Sequence, residues 1–436
     1  MIKVGMVSLG CAKNLVDSEM ILGMLNESHF QIVNTIEEAD VLIVNTCGFI
    51  ESSKQESIDN IFDLLQYHKK LVVTGCLVQR YLDVLKEEIP EVDLFIPIKD
   101  YPHMNEMIES LFKDKEIKIQ PINPYVRLLS TPKYQAYLRI SDGCNNCCSY
   151  CAIPLIRGKF VSRPFQDIIT EAKILKNKGI QELVVISQDT TKYGIDLEPK
   201  TSITQLLKQL IDLGFPSIRL LYLYPDEIED DLIELIKNNQ NVISPYFDIP
   251  LQHASNNVLK NMNRRGNKEQ YIQLINKIRQ NIPNAILRTT YIVGFPGETD
   301  DDFNQLLEFT KLIKFDHLGA FTYSKEEGTA SYDFDDQIPQ NIKAKRYSQL
   351  MKIQKTISYE NNKKHINEIM TGIVTNYDKD KNEYYLRSYW NAPDDIDGNI
   401  IFKSNKQLEI GSFVNVKITN AFIYDLYGEY IENKEK

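Results

Sequence analysis

Over the first hundred residues, short apolar runs alternate with stretches of helical spacing. Positions 2–8, 41–46 and 71–74 are short and uniformly apolar enough to be buried strands. Positions 15–25 and 79–88 repeat their apolar residues every three to four positions, as amphipathic helices do. Strand and helix in alternation predict a small parallel α/β domain over residues 1–115. A polar, proline-containing stretch, 116–133, breaks the pattern and reads as a linker.

The alternation resumes over 134–365. Predicted strands fall at 136–140, 182–187, 218–223, 246–249, 286–293 and 318–323, with helices such as 164–178, 204–213 and 269–280 between them. Six βα units predict an open, partial (βα)6 barrel rather than a closed eight-stranded one. A charged helix over 342–364 closes this domain. From residue 366 the period changes to short strands between turns, at 372–376, 384–388, 400–402, 413–418 and around Tyr430. These predict a small antiparallel β-barrel over 366–436. The fold class is α/β, in three domains.

Composition narrows the class of function. Hydrophobic residues make up 43% of the chain and charged residues 25%, an ordinary globular balance. No apolar run reaches the roughly 18 residues that cross a bilayer, and the N-terminal residues lack a signal-peptide pattern. The expected location is the cytoplasm, with no membrane partner. The formal net charge is −10, and residues 371–436 carry 8 Lys+Arg against 11 Asp+Glu. Nucleic-acid affinity rests largely on neutralising phosphates, so this balance favours a basic protein partner, without excluding RNA.

The seven cysteines carry the chemistry: Cys11, Cys47, Cys76, Cys144, Cys147, Cys148 and Cys151. An odd, clustered set in a reducing compartment points to metal binding or catalysis rather than disulfides. In GCNNCCSYCAIP (143–154), Cys144, Cys148 and Cys151 form C-x3-C-x2-C. Three thiolates on one loop can hold three irons of a [4Fe–4S] cluster and leave the fourth open to a substrate, with this spacing usually S-adenosylmethionine (SAM). A structural zinc loop with Cys147 as fourth ligand is the alternative, although adjacent Cys147 and Cys148 would strain one tetrahedral ion.

Cys11, Cys47 and Cys76 each directly follow a predicted strand, and each has a neighbouring glycine, Gly10, Gly48 and Gly75. Parallel strands end on one edge, so the fold would gather these thiols into a second open cluster site. Three ordinary buried cysteines are the plainer reading.

Other candidates also sit at strand ends in the central domain. Ser187 and Gln188, then Asp248 and Gln252, could hold the ribose or amino group of SAM; ordinary turn chemistry explains them as well. The GFPGET turn offers Gly294, Gly297 and Glu298, with backbone N–H groups for SAM or simply a capped helix start. Arg288 stands inside an apolar strand and needs a carboxylate partner, either on SAM or substrate or within the protein. Tyr384, Tyr385 and Trp390 could stack bases, or pack the core of a small barrel.

The segments SLGCAKNLVDSE, VNTCGFI, TGCLVQRY, SDGCNNCCSYCAIP and YIVGFPGET together resemble the methylthiotransferase family of radical SAM enzymes, end to end. The resemblance implies a cluster-bearing N-terminal domain, a radical SAM barrel and a TRAM-like β-barrel. It implies two [4Fe–4S] clusters, one on Cys144, Cys148 and Cys151 for SAM cleavage and one on Cys11, Cys47 and Cys76 carrying sulfur. GCAKNLVDSE, NAPDDIDG and YDLYGE look like the branch that modifies the β-carbon of an aspartate in a small-subunit ribosomal protein near the decoding centre. Asn391 and Cys147 depart from what is usual there, and neither is a ligand. The implied partners are that ribosomal protein or the assembled small subunit, and a flavodoxin- or ferredoxin-type electron donor. Two alternatives stay open: the branch that methylthiolates adenosine in tRNA, and a non-catalytic ribosome- or RNA-binding module with a structural metal loop.

Overall fold

Five strands open the chain: β1 (Ile2–Ser8), β2 (Phe30–Ile32), β3 (Val41–Thr46), β4 (Lys70–Gly75) and β5 (Leu94–Ile96). In the computed structural model they pair in parallel, in the order β2-β1-β3-β4-β5. The model describes residues 1–28, 30–112, 125–394 and 396–432. Every residue of β3 is buried, as a central parallel strand covered on both faces requires. The outer strands β2 and β5 have three residues each, too short for periodicity to flag. Because β1, β3 and β4 are neighbours, their carboxyl ends lie side by side.

The central domain begins with β6 (Gln135–Arg139) and a two-stranded ribbon, β7 (Ser141–Asp142) with β8 (Val161–Ser162). It continues with β9 (Glu182–Ile186), β10 (Ser217–Leu220), β11 (Tyr246–Asp248), β12 (Ile286–Val293) and β13 (His317–Thr322). Strands β6, β9 and β10 form one parallel sheet and β11, β12 and β13 another. A parallel bridge between Ile218 and Ile243 joins them. The result is six parallel strands in chain order, the partial barrel expected. Helices are started by side-chain caps from Ser202 and Asn267, and by a reciprocal Thr299–Asp302 capping box. One apolar core joins these helices to the strands.

The chain ends in a closed barrel of β14 (Ile369–Asp378), β15 (Glu383–Arg387), β16 (Ile400–Lys403), β17 (Phe413–Ala421) and β18 (Leu426–Ile431). All its pairings are antiparallel except β16 with β18, which is parallel. Trp390 and Tyr384 are buried in its core cluster. The barrel docks through Glu182 of β9, which accepts from Arg387 Nε at 2.6 Å and Arg219 Nε at 3.3 Å.

The predicted linker needs correcting where it is described; 116–124 lie outside the described residues. Arg127 is buried and donates to Glu19 at 2.5 Å, to Glu171 at 2.5 Å and to the Tyr137 carbonyl at 2.8 Å. A Cβ on Gly23 would meet the Val126 carbonyl at 2.3 Å. This segment is a strap that clamps the first helix (Ala12–Glu27) onto the central domain, not a spacer.

Candidate active site between two thiol triads

Cys11 caps the helix Ala12–Glu27 after β1, Cys47 follows β3, and Cys76 starts the helix Cys76–Glu88 after β4. The glycines beside them are demanded by close approach. A Cβ on Gly10 (φ +88°) would lie 2.9 Å from Cys47 Cβ and 3.1 Å from its Sγ; one on Gly48 would lie 2.7 Å from Leu77 Cα. Asn14, three residues after Cys11, ties the loops together. Its Nδ2 donates to the carbonyls of Leu9 (2.7 Å), Thr46 (3.2 Å) and Asn45 (3.3 Å). Ser57 brackets Cys47, accepting from its N–H at 3.0 Å and donating to its carbonyl at 2.9 Å.

The second triad sits at the carboxyl end of β6, on the loop after β7. Gly143 (φ +72°) carries no Cβ because one would strike the Lys159 carbonyl at 2.1 Å. Cys148 Sγ lies 3.7 Å from Tyr224 Oη and 3.8 Å from Arg264 Nη1. The Arg264 guanidinium stacks 4.1 Å from the Tyr224 ring centre. Cys147 adopts φ +51° and is exposed, whereas Cys144, Cys148 and Cys151 are partly buried.

Burial pushes the Cys47 and Cys144 thiols up, and those of Cys76 and Cys151 up to about 12. Left alone, these four stay protonated at neutral pH; a bound metal draws off the proton. Among the described residues no three His, Cys, Asp or Glu side chains close on one point as a single ion needs. A four-iron cluster asks something different, one thiolate for each of three irons. Three soft donors per site and glycine-lined loops fit that group.

Arg157 reaches from the central domain to the N-terminal triad. It ends the short helix Ile153–Arg157 behind Cys151, yet its Nη2 is 3.4 Å from Cys76 Sγ and 3.3 Å from Asn14 Oδ1. Its Nη1 pairs with Asp17 at 2.6 Å and Asp142 at 3.4 Å. Asp142 also accepts from Gln188 Nε2 at 2.6 Å and from the Gly143 N–H at 3.0 Å. Burial would raise the Asp142 carboxyl, but Arg139 and Arg157 outweigh it and hold it below the usual range. Asp17, Asp142, Arg157 and Asn14 were not singled out from the sequence. For Asn14, Asp17 and Asp142 the signal was proximity to Cys11 and Cys144 within the two motifs; Arg157 lies three residues beyond the second and carried no such signal.

The SAM candidates divide. Ser187 is buried against Ser141 Oγ, and Gln188 has its Oε1 buried without a partner. Asp248 Oδ2 accepts from the Tyr222 N–H at 3.0 Å and Oδ1 from Arg288 Nη1 at 2.9 Å. Gln252, four residues beyond β11, takes φ +71°, its N–H bonded to the Thr290 carbonyl. Ser187 and Gln188 follow β9, and Asp248 ends β11. Arg288 also lies 3.4 Å from Asp397 of the C-terminal barrel, so its charge is met within the protein. The GFPGET turn is spent internally. Glu298 is buried, accepts from the Gly294 N–H at 2.7 Å and from Arg346 at 2.8 Å, while the Gly297 N–H donates to Asp336. Gly294 has φ +73°, and a Cβ there would strike the Lys343 side chain, so the turn and the helix packed on it both call for glycine.

Six parallel strands with a three-thiol loop behind the first define the chain as a radical SAM enzyme. The Radical SAM superfamily matches residues 138–310, the Uncharacterized protein family UPF0004 residues 3–97 and the TRAM domain residues 368–431. In fold the chain is similar to the radical S-adenosylmethionine methyltransferase TsrM from Kitasatospora setae, at TM-score 0.55 and 11% identity over 73% of this chain and 72% of that one. Ribosomal protein uS12 methylthiotransferase RimO of Clostridioides difficile is 48% identical, covering 99% of each chain. The RimO of Acetivibrio thermocellus is 44% identical over 100% of this chain and 99% of that one. The chain belongs to the RimO family of ribosomal protein uS12 methylthiotransferases. Among the described residues no helix is long and apolar enough to cross a membrane.

Proposed function

We propose that this protein attaches a methylthio group to the β-carbon of an aspartate in ribosomal protein uS12, in the cytoplasm. It would use SAM and two [4Fe–4S] clusters, with a flavodoxin- or ferredoxin-type electron donor. The observation that supports the reading is Arg157, which ends the short helix after the Cys144–Cys151 loop and touches Cys76: hydrogen removal and sulfur delivery must act on one carbon, and this side chain links the two cysteine-bearing segments.

Cys144, Cys148 and Cys151 would hold the cluster that binds SAM, and Cys11, Cys47 and Cys76 the one that carries sulfur. Once bound, the first cluster and SAM supply a carbon radical able to take hydrogen from an unactivated C–H, which no side chain can do at neutral pH. The protein's own residues position and shield. Gln188 and Asp248 present polar atoms to SAM from the ends of β9 and β11. Arg157 holds Asp142 and Asp17 while screening Cys76. Arg264 and Tyr224 cover Cys148 from solvent.

The test is anaerobic incubation of the reconstituted enzyme with SAM, reductant and either uS12, assembled small subunits or tRNA. Mass spectrometry showing one methylthio group gained on a uS12 aspartate supports the reading. A gain on tRNA alone overturns it.

A further inference from the structure

The substrate proposed above has an unusual feature: the carbon to be modified is bonded directly to a carboxylate. That carbon must stand between the two triads, so the carboxylate must stand there too, and an anion in a closed site needs a cation. Most cations around this space are already committed. Arg157 pairs with Asp17 and Asp142, Arg139 with Asp17, and Arg288 with Asp248 and Asp397.

Lys13 is different. It is the second residue after Cys11, on the first turn of the helix Ala12–Glu27, and only partly exposed. Its Nζ lies 3.2 Å from the centre of the Tyr222 ring. Among the described residues it has no carboxylate at ion-pair distance, and the carboxylate of Asp248, bonded to the Tyr222 N–H, is taken by Arg288. Tyr222 follows β10 and its N–H reaches Asp248 of β11, so this contact sets Lys13, two residues after Cys11, against the strand ends of the central domain. Tyr222 is itself held unusually: φ is +62°, a costly conformation for a bulky residue. Its N–H donates to Asp248 at 3.0 Å and its carbonyl accepts from Thr190 at 3.1 Å. A backbone fixed from both sides sets the ring under the lysine, leaving the ammonium N–H groups that point away from the ring for an incoming anion.

We propose that Lys13 binds the side-chain carboxylate of the substrate aspartate and so selects an acidic target at the junction of the two triads. This rests on the uS12 reading given above. The carboxylate of SAM is the weaker occupant, because the open iron of the Cys144 cluster already offers it a ligand position.

The experiment compares wild-type enzyme, Lys13→Met and Lys13→Arg at equal iron content, on uS12 carrying either the native aspartate or asparagine at the target. Wild type should prefer aspartate over asparagine. Lys13→Met should lose roughly 10- to 100-fold in kcat/KM on the aspartate substrate, the scale of a lost charged hydrogen bond. Its preference for aspartate should collapse. Lys13→Arg keeps the charge and should keep the preference. If Lys13→Met modifies native uS12 with the wild-type preference, the proposal is overturned. If wild type modifies no uS12 at all, the uS12 reading itself has failed, a separate and visible outcome.

Discussion

Arg157 Nη2 stands 3.4 Å from Cys76 Sγ, although the two residues belong to different domains. The same guanidinium binds Asp17, from the N-terminal domain, at 2.6 Å and Asp142, from the central domain, at 3.4 Å. It is therefore a joint in the fold as well as a neighbour of the chemistry. Removing it would leave Asp17 and Asp142 to share Arg139 alone, a loss smaller than the about 3–5 kcal/mol of a buried pair stripped of its one partner. Arg157→Ala should melt below wild type by calorimetry. Arg157→Lys, which keeps a charge but loses the fork, should fall between the two. An Arg157→Ala protein as stable as wild type would show that the joint contributes nothing.

Cys147 and Cys148 are adjacent in sequence but unequal in the fold. Cys147 is exposed; Cys148 is partly buried beneath Tyr224 and Arg264. Cys148→Ala should abolish 5′-deoxyadenosine release from SAM, and Cys147→Ala should retain it. The reverse pattern, read by chromatography of the SAM products, would mean that the wrong thiol has been taken as the ligand.

Gly10 has φ +88° and faces Cys47, where a Cβ would sit 3.1 Å from the sulfur. Gly10→Ala carries a left-handed strain of about 1–3 kcal/mol and fills space beside the thiol. Iron analysis should find the N-terminal site depleted and the central one loaded. Equal loss at both sites, or at neither, would contradict a local effect.

Much of this arrangement was readable in the sequence, and the failures have physical reasons. Cys11, Cys47 and Cys76 could be placed together because parallel strands β1, β3 and β4 must end on one edge. Arg288 could be recognised as needing a partner, since a lone charge in an apolar strand is costly. That Asp397 of a distant barrel helps to meet it could not, because tertiary pairing leaves no local pattern. The internal bonds of the GFPGET turn were hidden for the same reason: Glu298 and the Asp336 carbonyl accept from the Gly294 and Gly297 N–H groups. Arg127 lay inside a polar, proline-containing stretch that composition alone makes a linker. Two acidic partners in different domains turn it into a clamp.

Docking of the barrel should weaken in acid. Burial would raise the Glu182 carboxyl, but Arg387 and Arg219 outweigh burial and hold it below its ordinary value of 4.5. A carboxylate lowered on folding stabilises the fold above its unfolded value and ceases to do so as pH falls through its folded one. Stability should therefore drop progressively as pH is lowered below about 4.5. Trp390 is the chain's single tryptophan and lies 4.9 Å, ring to ring, from His317 at the barrel's docking face. Its fluorescence reports the change. Glu182→Gln should be less stable at neutral pH and show a shallower acid dependence. An unchanged acid profile in that variant would remove Glu182 from the explanation.

The central claim is that two separate triads each hold a cluster on three thiolates. Iron and sulfide should be counted after anaerobic reconstitution of wild type and of two triple variants, one with Cys11, Cys47 and Cys76 changed to Ala, the other with Cys144, Cys148 and Cys151. The account predicts about eight irons per chain in wild type and about four in each triple variant. About four irons in wild type, all lost with one triad and none with the other, would contradict it.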